Sequence, residues 1–383
     1  MTKKLKTTLL AVFLAAVFIA FAFGGICLGF YISHDSKLDR YDFSALIGAS
    51  NKTVLFIGDG MGFNHISVTE NYFERETYFE AFEISGQIST FSNVLLGPTD
   101  SAAAGSALST GKKYNNGEVA RHNKKDIESI SEYAKSLGLG VGIVTTDNLS
   151  GATPASFSAH ANNRGDTDDI INGQVNSNID LFLGAGLSTY SEHRAEFEAN
   201  GYTFCQEYET LETNINKTKL IASFSAVGHS EPTSSEPTLD MLTDFALNFM
   251  ELHYSDGYFL MIEGAHIDKC SHKNDIVGMV NYLKNFDESI ELAHNKLKAE
   301  ANAAIIVTAD HETGGLKFNG ESKDKINDNL YTRNWHSTKD VPYYIFLKTQ
   351  KTIDAKTIFN KEMDNTDIFK IMHAMLTKET NAA

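Results

Sequence analysis

The sequence predicts an α/β fold with a mostly parallel central sheet flanked by helices on both faces. Two observations predict it. From Val54 onward, short apolar runs rich in Val and Ile alternate with amphipathic stretches, the order expected of β-α-β units. Three of these runs also stop abruptly on acids and histidines. Val54-Leu55-Phe56-Ile57 runs into Gly58-Asp59-Gly60-Met61-Gly62. Tyr258-Phe259-Leu260-Met261-Ile262 runs into Glu263-Gly264-Ala265-His266-Ile267-Asp268, with His272 just beyond. Ala304-Ile305-Ile306-Val307-Thr308 runs into Ala309-Asp310-His311-Glu312. Buried parallel strands read as continuous apolar runs, and open α/β sheets bind ligands past the carboxyl ends of their strands.

Taken in order, the chain opens with Lys3, Lys4 and Lys6, then an uncharged apolar stretch from Leu9 to Ile32. That stretch exceeds a secretory h-region and suits a membrane span of about 20 residues. Residues 1–32 are therefore read as a signal or transmembrane anchor. The lysines place its start in the cytoplasm and the body outside, which makes the protein extracytoplasmic and membrane-anchored. Ala20-Phe21-Ala22 offers the alternative, cleavage and secretion. A polar linker, 33–50, leads to one domain over 51–383.

Within that domain, Gly97-Pro98-Thr99-Asp100-Ser101 is a turn into a helix of small residues, and Asp126 to Ser136 reads as a helix. Gly140 to Thr146 and Asp180 to Gly184 read as strands. Thr153-Pro154 opens a helix, with Pro at a position it favours. Thr238 to His253 and Asn274 to Leu297 have helical periodicity; Val341 to Leu347 is a strand and Asp364 to Leu376 a terminal helix. The polar segments 192–235 and 317–338 are surface excursions, and loops of such length are often functional.

The chain has 383 residues, 42% apolar and 21% charged, enough for a sizeable core. Its formal net charge of −16 argues against nucleic acid as a partner, because phosphate backbones call for a basic surface. A small phosphate remains compatible, since bound cations reverse the local field. Of the three cysteines, Cys27 lies in the apolar segment. Cys205 and Cys270 either pair or stay as free thiols.

The candidate ligands suit metal. Asp268 and His272 are four apart on a predicted helix and share one face. Asp310 and His311 are adjacent at a strand end. Asp59 lies among glycines that admit close approach. Mixed His and carboxylate sets suit zinc, and all-oxygen sets suit magnesium. Ser101, at a helix start where free N–H groups attract anions, is a candidate nucleophile if a cation activates it; otherwise it merely caps the helix. Arg164 is of the type that grips two phosphate oxygens.

Six segments in order carry a resemblance to the alkaline phosphatase family. They are Phe56-Ile57-Gly58-Asp59-Gly60-Met61-Gly62, Thr99-Asp100-Ser101-Ala102-Ala103, and Ala152-Thr153-Pro154-Ala155 with Arg164. Ile262-Glu263-Gly264-Ala265-His266-Ile267-Asp268 with His272, Thr308-Ala309-Asp310-His311-Glu312, and Trp335-His336-Ser337-Thr338 complete the set. The resemblance implies two Zn2+ and one Mg2+. Asp59, Asp310 and His311 would hold the zinc that activates Ser101. Asp268, His272 and His336 would hold the second zinc. Asp59, Thr153 and Glu263 would hold magnesium, and Arg164 would clamp the phosphoryl group. His336 enters through the resemblance alone.

The activity implied is hydrolysis of phosphate monoesters through a phosphoserine, with paired cations stabilising the attacking and leaving oxygens. The family habit also allows a homodimer. A phosphodiesterase or sulfatase-like hydrolase is the alternative on the same scaffold, though Ser101 lacks the usual sulfatase flanks. A metal-retaining binding protein without turnover is a third reading. One departure stands out. Many relatives carry Asp or His two residues before the magnesium-binding threonine, where this chain has Gly151, so the third metal is the open point. Lys269 occupies a position that in some relatives approaches phosphate through water.

Overall fold

Three adjacent strands end in register, and this sets where the acids leave the sheet. The structure is a computed structural model that describes residues 41–94, 97–359 and 362–378. Its ten-stranded sheet contains β1 (Lys52–Ile57), β2 (Ile84–Ser89), β3 (Gly140–Asn148), β4 (Leu181–Ala185), β5 (Thr203–Cys205), β6 (Leu220–Phe224), β7 (Tyr258–Glu263), β8 (Ala303–Thr308), β9 (Val341–Lys348) and β10 (Glu362–Asp364). The spatial order is β10-β2-β9-β8-β1-β7-β3-β4-β6-β5. Only β9 runs against its neighbours; every other pairing is parallel. Ile57 is level with both Thr308 and Glu263, and Thr145 is level with Glu263. Asp59, Asp310 and Glu263 therefore emerge on one edge.

β1, β7 and β8 are buried along their whole length, which is why they are continuous apolar runs rather than alternating ones. Helices close over the sheet as two layers. In one, α2 (Ser101–Thr110) packs on α3 (Ala152–Ser158) and α7 (Asn365–Leu376); in the other, α1 (Phe63–Phe73) and α4 (Leu239–His253) pack on α6 (Ile276–Leu297), which also meets the short α5 (His266–His272). The α2–α3 contact is close because its residues are small. Ala102, Ala152, Ala155 and Ala159 form a buried cluster there, and a Cβ at Gly105 would lie 3.2 Å from Ser156 Oγ. Small side chains thus fix the spacing between the starts of two helices that carry Ser101 and Thr153.

The structure revises three boundaries. The linker ends earlier than residue 50, because Phe43, Leu46 and Ala49 are buried and the amides of Gly48 and Ser50 bond to Ala374 and Met375 of α7. The segment 192–235 is more than a surface excursion. It supplies β5 and β6, and β6 is wholly buried. The helix read as starting at Asp126 begins at Ile130, after Ser129 forms a capping box with Glu132; Lys125 and Asp126 pair instead with Arg121 and His122. Cys205 and Cys270 are both buried free thiols. The anchor expected over 1–32 lies outside the described residues.

Candidate metal centre

Gly60 draws the ligand-bearing segments together. Its φ of +75° suits glycine, and a Cβ there would meet Asp268 Cα and Cβ at 2.8 Å. Any side chain at 60 would push the end of β1 away from α5. The Gly60 amide donates to Asp310 Oδ1 at 3.0 Å, tying β1 to β8.

Two groups of ligand atoms result. Asp59, Asp310 and His311 form one, and Asp268, His272 and His336 the other. In the first, His311 Nε2 lies 3.2 Å from Asp310 Oδ2 and 3.6 Å from Asp59 Oδ1. In the second, Asp268 Oδ2 is 3.3 Å from His272 Nε2 and Asp268 Oδ1 is 3.8 Å from His336 Nε2. The rings of His311 and His336 stack with centroids 3.5 Å apart, joining the groups.

The hydrogen bonds behind the imidazoles orient them as metal ligands. His272 Nδ1 lies 2.6 Å from Asn334 O, and His336 Nδ1 2.8 Å from Thr99 O. A carbonyl only accepts, so each Nδ1 carries a proton and each ring turns its Nε2 inward, where it offers a lone pair to a metal once that nitrogen is unprotonated. Those two Nε2 atoms stand 3.1 Å apart. Two lone pairs at that distance need a proton or a cation between them. Thr313 fixes the third ring. Its hydroxyl donates to Asp268 and so accepts from His311 Nδ1 at 3.2 Å. His311 Nε2 then faces Asp59, Asp310 and Ser101.

Charge says the same. Two like charges 4 Å apart repel by about 4 kcal/mol at an effective dielectric of 20, so several such pairs rival the stability of a whole domain. The carboxyl of Asp59 is held well above its usual range by burial, then by Asp310, Asp268 and Glu263. Burial and the Asp268 charge push Asp310 up to about 7. Burial, then the Asp147 charge, pushes Glu263 up to about 8. Burial would also raise Asp268, but hydrogen bonding to His272 and the His311 and His272 charges reverse this and lower it. His311 is held well below its normal value by burial and then by His336. Asp59 Oδ1, Asp310 Oδ2 and Thr153 Oγ1 are buried without hydrogen-bond partners. Unpaired oxygens beside neutral imidazoles are what divalent cations satisfy, so these residues fit the metals that the resemblance implies.

Ser101 is the first residue of α2, and its Oγ lies 3.2 Å from His311 Nε2. It does not cap the helix. Asp100 does, accepting from the Ala103 amide at 2.9 Å. The other oxygen of Asp100 takes Arg164 Nη1 at 3.3 Å, so the cap also tethers the arginine beside the serine. The guanidinium stays substantially exposed, and its charge bears on both His272 and His311. Thr153 stands at the start of α3, beside Glu263 at the end of β7. Sequence reasoning missed Asp100 as cap and tether, Thr313 as the link between the groups, and Thr145, whose hydroxyl donates to Glu263. Only Asp100 carried a signal, as an acid directly before a helix start.

Fold and site together define an α/β protein with two groups of candidate metal ligands at the carboxyl edge of its sheet. The alkaline phosphatase family matches residues 50–381, and the chain belongs to that family. Alkaline phosphatase 4 of Bacillus subtilis (strain 168) is 32% identical over 281 residues, 68% of this chain and 58% of the relative. The chain thus spans less than two thirds of that relative's length. The alkaline phosphatase from the Antarctic bacterium TAB5 superposes with a TM-score of 0.76 at 26% identity, covering 86% of this chain and 99% of that one. A histidine-to-aspartate variant of the TAB5 enzyme, described with Mg bound in the M3 site, gives a TM-score of 0.73 at 25% identity, covering 87% of this chain and 100% of that one.

Proposed function

We propose that this chain hydrolyses phosphate monoesters through a phosphoserine at Ser101. The observation that carries the reading is the position of Ser101 Oγ. It sits 3.2 Å from His311 Nε2, at the rim of the first ligand group, and opens a helix whose N-terminal amides favour an anion. Two Zn2+ would take the two mixed His and carboxylate groups, and one Mg2+ the oxygen set of Asp59, Thr153 and Glu263. When bound, these cations supply the positive charge that makes a serine hydroxyl nucleophilic and offsets the phosphoryl dianion.

The chain's own residues do the rest. Arg164, tethered by Asp100, holds phosphoryl oxygens and orients phosphorus toward Ser101. Ser101 Oγ forms a bond to phosphorus as the ester P–O bond breaks; the hydroxyl proton leaves to solvent and the departing alcohol takes one up. Water then bonds to phosphorus and gives up a proton, the Ser101 Oγ–P bond breaks, Oγ takes a proton back from solvent, and inorganic phosphate leaves. Asn334 O, Thr99 O and Thr313 keep three imidazoles turned inward throughout.

The same reading places the body outside the cytoplasm on the anchor of residues 1–32, with a homodimer as its assembly and no nucleic acid partner. Fractionation of expressing cells and light scattering of the purified body check these points. The central test is turnover of aryl monoester, diester and sulfate substrates before and after prolonged chelation. Monoester turnover that is lost on chelation and restored by zinc is expected. Equal turnover of the chelated protein would overturn the assignment.

A further inference from the structure

Gly151 leaves a space, and Asp147 occupies it. A Cβ at position 151 would lie 2.7 Å from Asp147 Oδ2 and 2.9 Å from Asn148 O, nearer than real Cβ contacts. The φ of Gly151 is −56°, which any residue adopts. The need for glycine here comes from close approach, not from backbone conformation.

Asp147 is fixed toward the third ligand set. Its amide donates to Thr145 Oγ1 at 2.8 Å, and that hydroxyl donates to Glu263. Its Oδ1 accepts from the Asn148 amide at 2.6 Å and from Lys269 Nζ. Lys269 lies on α5 directly after Asp268, so this ion pair also ties β3 to the second ligand group. Among the described residues no hydrogen bond reaches Oδ2, which lies over the start of α3, two residues before Thr153. Glu263 is fully buried and feels the Asp147 charge more than any other. Thr153 Oγ1, also buried, lies close enough to Glu263 to favour its charged form but has no well-formed hydrogen bond. A buried threonine hydroxyl without a well-formed hydrogen bond, a buried glutamate and a carboxylate whose charge acts on that glutamate make a donor set that a cation would satisfy. Magnesium keeps several of its waters and takes few carboxylates directly, so a carboxylate at the rim serves by accepting from those waters.

We propose that Asp147 is the carboxylate that completes the magnesium site of Asp59, Thr153 and Glu263, entering through the space left by Gly151, with Lys269 competing for its charge. The inference rests on the reading of the third site given above. Groups that hydrogen-bond to a metal's ligands are worth about 10–100-fold in affinity.

The test is calorimetric titration of Mg2+ into zinc-loaded protein, with circular dichroism to confirm folding. Asp147→Asn should weaken magnesium binding by about 10–100-fold. Gly151→Ala, which displaces the carboxylate without removing it, should weaken binding in the same direction and serves if the first variant does not fold. Lys269→Met keeps the carboxylate and removes its rival, so magnesium should bind as tightly or more tightly. If Asp147 served only as the structural partner of Lys269, magnesium affinity would be unmoved in Asp147→Asn and Gly151→Ala, and the inference would fall. A loss in Lys269→Met equal to that in Asp147→Asn would overturn it too. Wild-type protein that binds no magnesium would remove the third site itself, a different failure from wild type and Asp147→Asn binding alike.

Discussion

Ser101, Arg164 and Thr313 show how much single side chains decide. Ser101→Ala removes the one hydroxyl at the junction of α2 and the first ligand group, so monoester turnover should drop by on the order of 10³-fold or more. Phosphate, measured as a competitive ligand by calorimetry, should still bind. Arg164→Ala removes charge-assisted hydrogen bonds worth about 1.5–3 kcal/mol each, and the inhibition constant for phosphate should rise about ten- to hundred-fold with little change in melting temperature. Thr313 teaches a different lesson. Its hydroxyl sets the His311 tautomer only because Asp268, 45 positions away, accepts its proton. Acids and histidines at strand ends announce themselves in a sequence; a hydroxyl whose partners come from two other segments does not.

Elements were legible where one force dominated. β1, β7 and β8 are buried on both faces, and nothing competes with their apolar runs. α6 spans Ile276–Leu297 against an expectation of Asn274 to Leu297, because Asp275 caps it by accepting from the Gly278 amide. The strands β5 and β6 were hidden. They are short, and the polar helix between them, Tyr208–Thr213, masked the buried run Leu220–Phe224. α2 carries a prediction of its own. Asp100 both caps it and tethers Arg164, so Asp100→Ala should cost about 1 kcal/mol of stability, read from denaturant unfolding. The same variant should also weaken phosphate binding. A stability loss with unchanged phosphate affinity would show that the tether is idle.

Over the whole molecule, the buried acids link metal content to stability. Asp310 rises from 3.8 to about 7 and Glu263 from 4.5 to about 8, with Asp59 raised as well. A carboxyl raised on folding gives up its proton more readily in the unfolded chain. The stability it contributes is full below its unfolded value and lost as pH climbs through its folded one. Metal-free protein should therefore melt at progressively lower temperature between about pH 4 and about pH 8. Zinc and magnesium should narrow that loss most at the alkaline end. A metal-free melting temperature that rises across this range would contradict the charge balance of the site.

The reversed strand β9 has an effect on tolerance to change. Because it runs against β8, the chain leaves the sheet after Thr308 and re-enters at Val341 on the same rim. The residues between form an excursion paired at its base, Glu312 and Thr313 with Ser337 and His336, and held back against the body by buried Leu316 and Tyr331 and by Asp328, which accepts from the Ile276 amide. Gly320, near its tip, has no neighbouring atoms where a side chain would go. A short peptide spliced in at Gly320 would be carried outside the framework like a flag on a handle, making this spot a natural graft point for labels or surface tethers.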